Sequence, residues 1–208
     1  MGLDFNIRYE QILKLLKLKR DSKIFEVGAL PPACLSSYIS KKVDYLGINK
    51  NYSNPSYRIR EMNFLKNNFE TNYFTHSIST DTIEHIDKKD RQKFIDEMIR
   101  VTKQTIIVGV PNPEGKQYEK TLVTLLEASK KGKNYINFFK EHEEFGVPSK
   151  AAMQTYFRKY KYTTLENFNL QYWIGILLSD VFDFDIDLKK ISNINASPAY
   201  RTFYIINK

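Results

Sequence analysis

Three short runs in this chain hold residues that could do chemistry. Glu26-Val27-Gly28 closes an apolar stretch and turns, and Asn49 closes a second apolar stretch 21 residues after that glycine. Ile83-Glu84-His85 sets a carboxylate beside an imidazole, and His142 lies among Glu141, Glu143 and Glu144. A strand that ends in a glycine turn, followed about 20 residues later by a polar strand end, is how α/β folds hold a nucleotide. The turn presents backbone N–H groups and the polar residue meets the ribose hydroxyls. Asn49 is neutral but can both donate and accept, and it also suits a plain turn after a strand. His85, next to Glu84, is the candidate general base, and the same pair reads equally as a polar loop that orders the next helix. His142 is a candidate substrate contact, or else one member of a solvated charge run.

The turn itself narrows the ligand. Leu30, Pro31 and Pro32 stand where a phosphate-cradling loop carries further glycines. The prolines have no N–H to donate and Leu30 blocks close approach of the backbone. NAD, FAD and ATP fit poorly at such a turn. S-adenosylmethionine has no phosphate, and asks only for a tight turn by its amino-acid tail and a polar partner for its ribose.

These residues need elements to place them. Residues 23–27 and 43–48 read as strands, separated by a predicted helix over 33–39, the pattern of a parallel crossover. Residues 75–80 read as a strand, 88–102 as a helix with Phe94, Ile95, Met98 and Ile99 apolar, and 104–110 as a strong strand stopped by Pro111-Asn112-Pro113. Alternating β and α implies a mostly parallel sheet covered by helices. Upstream, Ile7, Ile12, Leu13 and Leu16 give a helical face. Residues 113–147 break the alternation. Leu122, Leu125 and Leu126 share a helical face there, and we expect a helical insertion over one end of the sheet. Ser149 can cap a helix to about Tyr160, followed by a strand near 162–168, a helix near 172–181 and a last strand over 201–206.

The 208 residues suit one domain with a full core, with 42% hydrophobic and 27% charged residues arguing against disorder. The longest apolar run, 173–178, is far too short to span a membrane. Lys and Arg interrupt the Leu-rich N-terminal stretch, which therefore lacks a signal-peptide pattern. The single Cys34 fits a reducing cytoplasm. A net charge of +8 is spread along the chain with no aromatic-basic module for RNA or DNA. Three histidines without His-Glu-x-x-His or other paired spacing, and one cysteine, predict no metal site.

Four motifs in order resemble the class I S-adenosylmethionine-dependent methyltransferases, in particular their methyltransferase-11-type members. They are Glu26-Val27-Gly28, Ile83-Glu84-His85, Arg100-Val101-Thr102-Lys103 and Val110-Pro111-Asn112, and they span about residues 23–112. A looser likeness to a lid-to-helix junction lies at 141–148. The resemblance implies an α/β, Rossmann-like fold: a seven-stranded, mostly parallel sheet with an antiparallel last strand, helices on both faces and a small helical lid at about 113–147, all within one domain of 1–208.

It also implies site residues. Glu26 and Gly28 would meet the methionine end of S-adenosylmethionine and Asn49 its ribose. Asn63 and Phe64 would lie by the adenine, with Thr80 and Asp81 lining the methyl-donor site. The resemblance does not choose the acceptor; from the residues themselves we expect a small molecule or glycan-linked sugar facing Glu84, His85 and His142, with Tyr118, Tyr135, Phe138, Phe139 and Trp173 as its walls or equally as core packing. The chain departs from the family pattern at the glycine-rich turn, at Asn49 and Asn63 where acids are usual, and at Thr75 in the fourth strand. Two further readings follow from those departures and from the charge: a non-catalytic binding or scaffold relative, and an RNA methyltransferase.

Overall fold

The computed structural model describes residues 3–186 and 194–208. Its centre is a seven-stranded sheet. In chain order the elements are α1 (Leu3–Leu16), β1 (Lys23–Val27), β2 (Asp44–Asn49), β3 (Ile59–Glu61), β4 (Phe74–Thr80), α2 (Arg91–Val101) and β5 (Thr102–Pro111). Then follow α3 (Lys116–Ser129), α4 (Lys133–Glu141), α5 (Lys150–Phe157), β6 (Thr163–Asn169), α6 (Leu170–Phe182) and β7 (Ala199–Asn207). The strands lie in the order β3-β2-β1-β4-β5-β7-β6. Neighbours from β3 to β5 are parallel, and β7 runs antiparallel to both β5 and β6. This is the mostly parallel sheet with a reversed last strand that the sequence implied. Among the described residues, no helix is long and apolar enough to cross a membrane.

The inner strands β1, β4, β5 and β7 bury side chains on both sides, as period-two alternation requires of a sheet covered on two faces. Ile106, Val108 and Val110 of β5 point to one face with Phe25, Phe74 and the α2 residues Phe94, Ile95 and Met98. Ile107 points to the other, with Ile24, Ile78 and the α1 residues Tyr9, Ile12 and Leu16. Of the helical face expected upstream, Ile12 and Leu16 are buried here, joined by Tyr9 at i, i+3, i+7 spacing, and Asp4 and Lys14 sit at the helix ends that favour their charges. A third cluster joins α3, α4 and α6 through Leu122, Leu126, Phe139, Trp173 and Ile176. Leu125, expected on the same face as Leu122 and Leu126, is 44% exposed.

One predicted element differs. Residues 33–39 form a single 3-10 turn, Leu35–Ser37, instead of a helix. Pro31 and Pro32 cannot donate and Cys34 is extended, so the turn starts only at Leu35, whose N–H is capped by the Glu26 carboxylate at 2.8 Å. With no helix in the β1–β2 crossover, α1 covers that part of the sheet, and Tyr38 from the crossover stacks on Tyr9 of α1.

Candidate functional site

A cleft of about 890 Å³ opens at the carboxyl ends of β1, β2 and β4, where parallel α/β sheets hold their ligands. Its walls are the turn after β1 (Gly28, Leu30), the ends of β2 and β3 (Asn49, Asn63), the turn after β4 (Asp81, His85) and α4 (Asn137, Phe138). Gly28, Asn49, Asn63, Phe64, Asp81 and His85 from the sequence reading therefore meet in one cavity. Glu26, Thr80, Glu84 and His142 do not line it.

The first two N–H groups of the β1 turn are taken within the protein. The Ile48 carbonyl accepts both the Gly28 and Ala29 N–H groups, at 2.9 and 3.0 Å. Gly28 adopts φ +84°, and a Cβ there would fall 2.1 Å from the Thr82 hydroxyl. This glycine is required by backbone conformation and by close approach together. Glu26 is buried beneath the turn and accepts from the Tyr9 hydroxyl at 2.6 Å, from the Tyr45 hydroxyl and from the Leu35 N–H. Burial raises its pKa, and these three donors oppose the rise. Its carboxylate is spent on holding α1, β2 and the crossover together.

Asn49 donates to the Ala29 carbonyl at 3.1 Å and accepts from the Asn51 N–H at 3.0 Å, which leaves one amide hydrogen and one lone pair for the cleft. Asn63 caps the turn at Phe64–Lys66 by accepting from the Leu65 N–H. Phe64 is 5% exposed and belongs to the core as well as to the cavity wall.

At the end of β4 lies an ionic cluster that sequence reasoning missed. Asp81, at φ +48°, receives Arg201 through two bonds of 2.6 and 2.5 Å and Arg8 at 2.7 Å. Asp4 completes the group against Arg8 and Arg201. Burial alone would raise the Asp81 pKa, but the two guanidinium groups hold it down at about 2. Thr80 is buried behind it, within 3.4 Å of Arg8. The one available signal was Arg201 itself, a cation inside the otherwise apolar run of the last strand.

Beyond Asp81, the turn Ile83–His85 meets a single π-helical turn, His142–Gly146, that ends α4. Arg91 fastens the two by donating to the carbonyls of Glu84, Phe145 and Gly146 at 3.2, 3.0 and 2.7 Å. His142 is fully buried, unlike its exposed neighbours Glu143 and Glu144, so the run is not uniformly solvated. Its Nδ1 lies 2.9 Å from Glu119 of α3 and its Nε2 is 3.9 Å from Glu84. Glu84 is also fully buried, with no hydrogen-bond partner for either oxygen. Burial, reinforced by the charge of Asp81, pushes its pKa up to about 8. His85 lies at the cavity wall with Nδ1 2.7 Å from Glu141, and burial lowers its pKa against the opposing pull of that carboxylate. Asn112 of the Val110-Pro111-Asn112 motif is buried and joins β5 to β7 through Ala199 and Thr202.

No protein-family model matches the chain, and no curated protein matches it in sequence. Solved structures share its fold. A SAM-dependent methyltransferase from Archaeoglobus fulgidus matches 98% of this chain and 94% of its own, with a TM-score of 0.63 at 9% identity. A possible histamine N-methyltransferase from Thermotoga maritima matches 99% and 91%, with 0.61 at 15%. Geranyl diphosphate C-methyltransferase from Streptomyces coelicolor, solved with Mg2+, geranyl diphosphate and S-adenosyl-L-homocysteine, matches 97% and 77%, with 0.57 at 14%. The fold is that of the class I methyltransferases.

Proposed function

We propose that this protein is an S-adenosylmethionine-dependent methyltransferase that acts on a small molecule or a glycan-linked sugar. The carrying observation is the position of the cleft. It lies on a methyltransferase fold at the ends of β1, β2 and β4, and its size accommodates a nucleoside cofactor with a modest acceptor. The residues present fit the adenosine end best. Asn49 and Asn63 offer spare polar valences, and Ile48, Met62, Phe64 and Leu65 give an apolar wall. The methionine end is less served, because Glu26 and the Gly28 and Ala29 N–H groups are already bonded within the protein.

The bound cofactor would supply an electrophilic methyl group on a sulfonium. The chain's own part is to align the acceptor and exclude water, which α4 does by closing one side of the cleft with Asn137 and Phe138. An acceptor that must lose a proton has His85 at the cavity wall, its pKa lowered by burial and Glu141 2.7 Å from its Nδ1. The occupied N–H groups of the β1 turn favour one other reading, a relative that binds the adenosine portion without transferring methyl groups.

Calorimetry with S-adenosylmethionine and S-adenosylhomocysteine tests the proposal. Affinity in the high micromolar to millimolar range is expected, with a raised melting temperature. Silence with both, together with binding of NAD or ATP, would sink it. Binding of the cofactor without turnover across sugar and small-molecule acceptors would favour the non-catalytic relative.

A further inference from the structure

We propose that Glu84, His85 and His142 form a binding site for one divalent transition-metal ion at the edge of the cleft. One ligand atom from each of the three residues lies within 4.8 Å of the others. Two imidazoles and a carboxylate are the donor set that takes Zn2+ and its first-row neighbours in preference to Mg2+ or Ca2+, which favour oxygen-rich sites. Two ligands at about 2.1 Å from a tetrahedral ion are about 3.4 Å apart. The 3.9 Å between His142 Nε2 and Glu84 Oε1 needs only a small contraction.

Unmet bonding capacity supports the site. Glu84 is fully buried with both oxygens unpartnered, and the buried Nε2 of His142 is unpartnered too. A buried carboxylate without a partner is costly, so such an arrangement persists where something satisfies it. A cation at this point would satisfy both residues.

The surroundings are those a metal site requires. His142 presents its other nitrogen to Glu119 at 2.9 Å, and His85 has Glu141 at 2.7 Å. The carboxylate bonded behind His142 fixes its tautomer and raises its basicity as a ligand, and Glu141 stands close enough to do the same for His85. Arg91 locks the two ligand-bearing turns by their carbonyls, so the ligands are positioned by the backbone before any ion arrives. His85 lines the cleft, whereas Glu84 and His142 do not. The open coordination position therefore faces the cleft at His85. An acceptor oxygen bound there would be polarised by the ion, so on the methyltransferase reading the ion would take over the part given to the free imidazole of His85. Metal binding itself does not rest on that reading and can be measured without a methyl donor.

The test uses the full chain, stripped with a chelator and titrated with Zn2+ and Co2+. One equivalent should bind with micromolar or tighter affinity, raising the melting temperature by several degrees. The Co2+ form should show visible ligand-field bands of four- or five-coordinate geometry. Mg2+ should fail to compete at a hundredfold excess. Glu84→Gln and His142→Gln should each weaken binding at least tenfold, and Glu119→Gln should weaken it about tenfold while keeping one equivalent. His85→Asn, at a residue the core does not enclose, gives the same loss should a buried variant fold poorly. No saturable binding at 1 mM Zn2+ would overturn the proposal. So would Co2+ spectra of octahedral, water-rich coordination, or unchanged binding in both Glu84→Gln and His85→Asn.

Discussion

The two ends of the cleft treat their buried polar groups in opposite ways. Under the β1 turn and at the end of β4 the buried carboxylates are answered from within. Glu26 has three donors, the Ile48 carbonyl takes two N–H groups, and Asp81 has two guanidinium partners. Under the α4 turn, Glu84 and the Nε2 of His142 have no hydrogen-bond partner although both are enclosed. The first arrangement builds stability into the fold and leaves little for a ligand. The second leaves the fold short of partners and creates a demand for one. On this comparison the β1 end of the cleft is structural, and the polar capacity left for a ligand lies at Asn49 and Asn63 and at the Glu84–His85–His142 edge.

The ionic cluster should show the largest effect. Removing one partner of a buried charged network leaves the others uncompensated, at about 3–5 kcal/mol. Asp81→Asn strands Arg8 and Arg201 with Asp4 alone, and chemical denaturation should register a loss in that range. The pH dependence has a definite sign. Asp81 is held at about 2, below its ordinary 3.8, so its contribution is full above 3.8 and is lost as pH falls towards 2. That limb, about 2 kcal/mol, should vanish in Asp81→Asn. A variant as stable as the parent would mean the end of β4 is not part of the self-satisfied region.

Gly28→Ala comes next. The new Cβ combines a left-handed φ with overlap onto Thr82, together about 2–3 kcal/mol. Adding Thr82→Ala should relieve the overlap and recover roughly half, leaving the backbone strain. Complete recovery would show that φ costs nothing here, and no recovery that Thr82 had simply moved aside.

The sheet was legible because long apolar strands and the α2 periodicity leave few alternatives, and the four ordered motifs placed the turns after β1, β4 and β5. What could not be read was partnership. Glu26 looks identical in sequence whether its carboxylate meets a ligand or Tyr9, Tyr45 and Leu35. The predicted helix over 33–39 shortened to one turn because Cys34 is held extended after Pro31 and Pro32, and only Leu35–Ser37 turns, capped by Glu26 nine residues upstream. His142 read as one of a charged run because nothing local says that a π turn rotates it inward to Glu119, which lies 23 residues earlier. The same distance hid a possible ligand set, since Glu84 and His142 share no spacing rule. Arg8 and Arg201 are at opposite ends of the chain, and only strand order brings them to Asp81.

A matched pair sharpens the comparison at about 1–2 kcal/mol. Glu26→Gln replaces an acceptor-only group by one with an amide that must face a donor, so melting temperature should fall by an amount equivalent to 1–2 kcal/mol. Glu84→Gln, in metal-free protein, removes no hydrogen bond and should be neutral or slightly stabilising. Equal losses at both positions would mean Glu84 has a partner in solution, and the asymmetry between the two ends would disappear.

The smallest effect separates structure from binding at one residue. Asn49 already uses one amide hydrogen on the Ala29 carbonyl and one lone pair on the Asn51 N–H. Asn49→Asp keeps the Asn51 bond, in charge-assisted form, but turns the Ala29 contact into two facing acceptors. Stability should therefore fall by about 1 kcal/mol. The second carboxylate oxygen is freed for the cleft, and a ribose hydroxyl donating to it forms a bond roughly twice as strong as one to an amide oxygen. Affinity for S-adenosylmethionine should rise by about 1 kcal/mol, or fivefold, even as the protein becomes less stable. Asn49→Ala should lower both. Opposite signs of the two changes in Asn49→Asp would assign the residue a share in ligand binding beyond its turn. A loss of stability with unchanged affinity would place Asn49 with Glu26 among the groups the fold keeps for itself.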